Sequence, residues 1–102
     1  MKGRPDLLSD VEVIADTEGA LGDGRVADMP PLQDIKDATQ RIADEAQKQN
    51  PSCEETEEIT DINDRVQQGH VSREDMEIAA TIGSRAAAGA IGVPPRPKRP
   101  RI

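Results

Sequence analysis

A chain of 102 residues permits one small domain at most, and it must bury most of its apolar surface to offset the entropy of ordering. Leu, Ile and Val number 19, there is no Phe, Tyr or Trp, and the formal net charge is −7. That composition excludes an aromatic-filled core and places the chain among those that stay largely disordered alone.

The expected fold class is therefore a mostly disordered or conditionally folded chain, all-α where ordered, with two or three short amphipathic helices and no sheet. Charge divides the sequence unevenly. Residues 1–77 hold all 20 acids against eight Lys and Arg, a balance of −12, whereas residues 78–102 hold five basic residues and no acid. An acidic body repels nucleic acid and anionic membrane, so neither is an expected partner. The single cysteine, Cys53, excludes an intramolecular disulfide and fits a reducing compartment. The opening residues alternate acids with single aliphatics, without a signal-peptide or transit pattern, and no apolar run approaches the ~18 residues of a membrane span. The expected location is the cytoplasm, the nucleus or both.

In residues 1–16, Leu7, Leu8, Val11 and Ile14 fall at helical spacing and predict a short, marginal helix. Residues 17–30 read as a linker, since Gly19, Gly22 and Gly24 crowd together and Pro30 begins a proline pair. Asp16, Glu18 and Asp23 lie near these glycines, but the alternating oxygen ligands and terminal Glu of a calcium loop are missing. A solvated acidic loop is expected there.

Residues 31–50 carry the strongest helical pattern, with Leu32, Ile35, Ala38, Ile42 and Ala46 on one stripe, Pro31 near its start and Pro51 after its end. In residues 52–68, Ser52 and Glu55 have the spacing of a capping box, acids fill the first turn, and Gly69 stands where a helix stops. The stripe of this second helix is Ile59, Ile62 and Val66. Each stripe is too narrow to hold a helix by itself, so Leu32, Ile35, Ile42, Ile59, Ile62 and Val66 are candidate partner-facing residues, docking another protein or a second copy.

Residues 71–91 open with Ser72 as an N-cap, Asp75 at the third helical position, and Val71 with Met76 as a hydrophobic staple. Beyond Ile82 the run GSRAAAGAIGV offers alanines that propagate a helix, but Gly83, Gly89 and Gly92 each cost up to about 1 kcal/mol relative to Ala. A fraying end is expected; the alternative is a smooth face of small residues that approaches another backbone closely. Residues 92–102 form a basic, Pro-rich tail in which Arg96, Lys98, Arg99 and Arg101 are candidates for reading by a nuclear import receptor. Solubilisation by charge, or capture by a polyproline-binding domain, are the alternatives for the same tail.

No nucleophile and base pair off in this inventory. His70 is a lone histidine at a helix boundary, Cys53 precedes an acidic run unsuited to a reactive thiol, and no Cys/His cluster exists for zinc. Neither catalysis nor a cofactor, metal or small-molecule substrate is expected.

The stretch VSREDMEIAATIGSR, residues 71–85, resembles the seed maturation protein repeat of plant late embryogenesis abundant proteins. Val71, Ser72, Arg73, Glu74, Asp75, Glu77 and Arg85 match that repeat in register, with Met76 in place of its usual Ala. The resemblance implies a hydrophilic stress and desiccation protectant, disordered in water and gaining helix as water is removed. Two other functions stand beside it: a helical adaptor or viral scaffold protein docking through its Leu/Ile stripes, and a nuclear regulator with an acidic body and basic tail.

Overall fold

The computed structural model describes residues 5–92, and the basic tail with its four import candidates lies outside them. Four helices account for most of the described chain: α1 (Leu8–Asp23), α2 (Leu32–Gln49), α3 (Glu54–Gln67) and α4 (Arg73–Ala87). Short 3-10 turns at Pro5–Leu7 and Val26–Asp28 precede and follow α1. No strand occurs among the described residues. The all-α expectation stands; extensive disorder does not, because four helices share one buried core.

Side-chain pairings fix the topology. Thr39 meets Asn63 and Gln47 meets Thr60, so α2 and α3 run antiparallel. Arg65 meets Asp75 and Arg85 meets Glu55, which does the same for α3 and α4. A Cβ placed on Gly22 would meet Arg73, and one on Gly83 would meet Val11, so α1 and α4 also run antiparallel. The result is an up-down-up-down four-helix bundle with α1 packed against α4.

The core is made of aliphatic and small residues. Leu7, Ile14, Ile35, Ile42, Ile59, Ile62, Val66 and Met76 are fully buried, and Ala20, Ala38, Ala43, Ala46, Ala79 and Ala86 fill the space between them. Alanines let helix axes approach and lower the side-chain entropy lost on folding, so a bundle closes without the area that aromatics supply. Large aliphatics alone understate this core, because alanines supply much of its packing.

The segment read as a linker is half helix. α1 continues through Gly19 and Gly22 to Asp23, because the stripe begun by Leu7 and Ile14 is carried on by Thr17, Ala20 and Leu21 against the rest of the bundle. The Thr17 hydroxyl donates to the Val13 carbonyl at 2.8 Å, so burying it leaves no unpaired polar group. Helix α1 stops at Gly24, whose φ of 72° is left-handed, where the Arg25 N–H bonds the Ala20 carbonyl at 2.8 Å. The irregular connection is confined to residues 24–31.

Two other local readings are corrected. Ser52 does not cap α3: the N-cap is Cys53, without a side-chain cap bond, and the Ser52 N–H instead approaches Asn50 Oδ1 at 3.3 Å. The end of α4 does not fray at Gly83. Helix α4 runs to Ala87 and closes at Gly89, with Ala90 N–H to Arg85 carbonyl at 2.8 Å and Gly89 N–H to Ala86 carbonyl at 3.1 Å. Gly89 has φ 72°, so what reads in the sequence as a helix penalty is the helix's stop.

Gly83 itself is buried. A Cβ there would lie 2.8 Å from Val11 Cγ2 and 2.9 Å from Ile42 Cδ1, too close without movement of both. The small-residue face is a close-packing surface occupied by α1 and α2 of the same chain.

Candidate functional site

The residues matching the seed maturation pattern divide between structural roles and exposure. Ser72 Oγ accepts the Asp75 N–H at 3.2 Å, so the predicted cap forms. Met76 is fully buried and Val71 packs half-buried against the same core, as a staple requires. Asp75 accepts two bonds from Arg65, at 2.8 and 3.0 Å, across the α3–α4 turn. That guanidinium holds the Asp75 carboxyl below the usual carboxylate range, more than its partial burial raises it, with smaller help from Ser72 and His70. Arg73, Glu74 and Glu77 are exposed on the first turns of α4.

Arg85 acts at the other end of α4. It pairs with Glu55 and also donates to the Ala90 carbonyl at 2.8 Å. Glu55, expected to cap its own helix, instead accepts from Arg85 and from the Gly92 N–H at 2.9 Å. Gln49, at the end of α2, completes this clamp: its amide donates to the Ala86 carbonyl at 2.7 Å and its Oε1 accepts the Ile91 N–H at 3.2 Å. Among the motif residues, Asp75 and Arg85 therefore tie α4 to α3 at both ends, while Ser72 caps α4 itself.

The candidate partner-facing residues are mostly spent inside the molecule. Ile35, Ile42, Ile59, Ile62 and Val66 are fully buried in the core, while Leu32 is 43% exposed at the start of α2. A docking role through the stripes as a whole would require the bundle to open. Among the described residues, the large aliphatics at the surface are Leu8, Val26, Leu32 and Ile78.

Ile78 lines an open concavity among the described residues. Between α3 and α4 lies a groove of about 250 Å³ lined by Glu55, Glu58, Glu77, Ile78, Thr81 and Ile82. Its base is aliphatic and its rim acidic. Ile78 is 36% exposed there, whereas Ile82 turns inward and is nearly buried. Glu55 and Glu58 come from α3 and Glu77 and Ile78 from α4, and nothing in the sequence pattern brings these two faces together.

A second feature it missed is Asp10, a carboxylate with only 5% of its surface exposed. Arg41 of α2 grips it with bonds of 3.0, 2.9 and 2.6 Å, a forked pairing that joins α1 to α2. Asp10 raises the Arg41 pKa above its ordinary value chiefly through this hydrogen bonding. Both carboxylate oxygens of Asp10 are spent on Arg41, which suits an architectural bond.

His70 is exposed in the α3–α4 turn, and the half-buried Cys53 Sγ lies 3.2 Å from the Thr56 hydroxyl. No group of three or more His, Cys, Asp or Glu side chains among the described residues is placed to hold a metal ion. No helix among them is long and apolar enough to cross a membrane. No protein-family model matches this sequence, and neither a curated protein nor a solved structure matches it.

Proposed function

We propose that the chain is a non-catalytic stress and desiccation protectant of the seed maturation type, acting as a small folded bundle with a highly charged surface. The observation that supports this reading is the use of the motif residues: Ser72, Asp75 and Arg85 cap α4 and bind it to α3, while Arg73, Glu74 and Glu77 face solvent. A motif spent on helix ends and solvated charge suits a protein that works through its surface and its helices. Water competes for peptide groups, so drying favours internal hydrogen bonds and preserves a helical fold. An acidic coat keeps such molecules apart from each other and from neighbouring proteins as volume shrinks.

The direct test is to dry a labile enzyme with and without the protein, recording recovered activity together with helical content by infrared spectroscopy. Recovery above that given by equal mass of serum albumin, with helix retained through drying, is the expected result. Recovery no better than albumin's would overturn the reading.

A docking protein is the second reading, favoured by the α3–α4 groove more than by the buried stripes. Residence in the cytoplasm, the nucleus or both accompanies either reading. Entry through Arg96, Lys98, Arg99 and Arg101 is tested with a fluorescent cargo too large to diffuse, fused to residues 90–102. Nuclear accumulation that is lost on Lys98→Ala/Arg99→Ala supports import, and equal exclusion of both fusions refutes it.

A further inference from the structure

We propose that the α3–α4 groove is the docking surface for the chain's own basic segment, residues 93–102. Three observations converge on it, the first being unbalanced charge. Helices α3 and α4 carry nine acids and three arginines, and two of those arginines, Arg65 and Arg85, are committed to Asp75 and Glu55. On the groove rim Glu58 and Glu77 have no ion-pair partner among the described residues. The next ten residues of the chain supply four cations, at Arg96, Lys98, Arg99 and Arg101, and no acidic side chain.

The second observation is delivery. Ile91 is buried, its N–H held by Gln49, and the Gly92 N–H donates to Glu55, a lining residue of the groove. The described chain thus leaves the bundle at the groove's own edge. From Gly92 a segment extended at about 3.1 Å per residue places Arg96 roughly 12 Å away. Glu58 stands one turn along α3 from Glu55, about 4.5 Å of helical rise, so its carboxylate lies within that reach, and Glu77 lines the same groove from α4.

The third is the fit between segment and surface. VPPRPKRPRI places prolines between its cations; their rings fix φ, which lowers the entropy lost when the segment is held against a groove. Pyrrolidine rings and Val93 suit the aliphatic base formed by Ile78 and Ile82, while Arg96 and Lys98 suit the carboxylates above it. Tethering makes the contact intramolecular, so weak individual ion pairs act at high effective concentration.

The experiment uses the full isotopically labelled chain, comparing wild type with Arg96→Ala/Lys98→Ala/Arg99→Ala/Arg101→Ala by nuclear magnetic resonance. Neutralising the tail is expected to shift the methyl signals of Ile78 and Ile82 and the amides of Glu58, Glu77 and Thr81, leaving Ile14 and Ile35 unmoved. Raising salt from about 0.1 to 1 M shortens the screening length from about 10 to 3 Å and is expected to erase most of that difference. In a Glu58→Lys/Glu77→Lys background the same tail neutralisation is expected to shift nothing in the groove. Unmoved groove signals in the wild-type background would overturn the proposal, as would shifts mapping instead to the acids of α1 and α2. Shifts that fade on dilution would also overturn it, by assigning the groove to a second copy's tail. The tail substitutions fall outside the buried core residues, so the wild-type comparison decides even if the double-lysine variant is unstable.

Discussion

Between α2 and α3 a row of hydroxyls and amides bonds across the helices beside the shared aliphatic core; between α1 and α4 small apolar surfaces are pressed together. In the first pair the Thr39 hydroxyl lies 3.0 Å from the Ile35 carbonyl and 3.1 Å from Asn63 Oδ1. Asn63 reaches back to Gln40 at 3.1 Å, and Gln67 bridges to both Asn63 and the Lys36 carbonyl at 3.0 Å. In the second pair Gly83 sits under Val11 with no room for a methyl group. A polar seam with redundant partners tolerates the loss of one bond, because each remaining group keeps another partner. A close-packed seam has no such slack in volume.

The strongest way to break the bundle is at the point where both pairs meet. Ile42 is fully buried on α2 and its Cδ1 faces Gly83 of α4. Ile42→Ala is expected to cost about 2–5 kcal/mol, through lost burial and the cavity left behind. Chemical denaturation reads this as a lowered midpoint, and a change below about 1 kcal/mol would show that the two seams do not share a core.

Gly83→Val isolates the close-packed seam. Overpacking is expected to cost about 1–3 kcal/mol, outweighing the gain of up to about 1 kcal/mol from removing glycine from a helix. A stabilised variant would mean that α1 and α4 lie farther apart than their geometry indicates. Thr39→Val isolates the polar seam and should cost only about 1 kcal/mol, since Asn63 Oδ1 still accepts from Gln67. A cost as large as that of Gly83→Val would remove the distinction drawn between the pairs.

The smallest effect belongs to the α3–α4 turn, where Asp75→Asn removes a carboxylate from Arg65. Asp75 titrates below its ordinary value in the folded protein, so its stabilisation is complete above the unfolded-state value of about 3.9 and is lost as pH falls through the lower folded value. Wild type and variant should differ by less than about 1 kcal/mol at neutral pH and converge in strong acid. An undiminished difference in strong acid would show that the effect is not ionic.

How much of this was legible in the sequence follows from which side chains form each seam. The α2 stripe could be read because Ile35 and Ile42 repeat at helical spacing, and the α4 start because Ser72, Asp75 and Met76 define it within five residues. The second half of α1 was hidden because Thr17 and Ala20 carry its buried face, and neither advertises a core as leucine does. Gly24 and Gly89 looked like breaks in structure when they are clean helix stops, a difference set by the backbone angle. The groove was hidden for another reason: Glu58 and Ile78 are 20 positions apart, and only the antiparallel return of α4 along α3 puts them on one face.

The pairing of α1 with α4 also bears on the order in which the molecule assembles. Helices α2 and α3 are joined by four residues, so their contact closes a short loop at little entropic cost. Val11 must find Gly83 across 72 positions of chain, with the α2–α3 hairpin lying between. The expected sequence of events is an early α2–α3 hairpin onto which the outer helices close, giving Thr39 and Asn63 higher transition-state φ-values than Val11 or Gly83. During synthesis, α1 can meet α2 early through Asp10 and Arg41, but the face that Val11 presents to Gly83 waits in solvent until α4 has emerged.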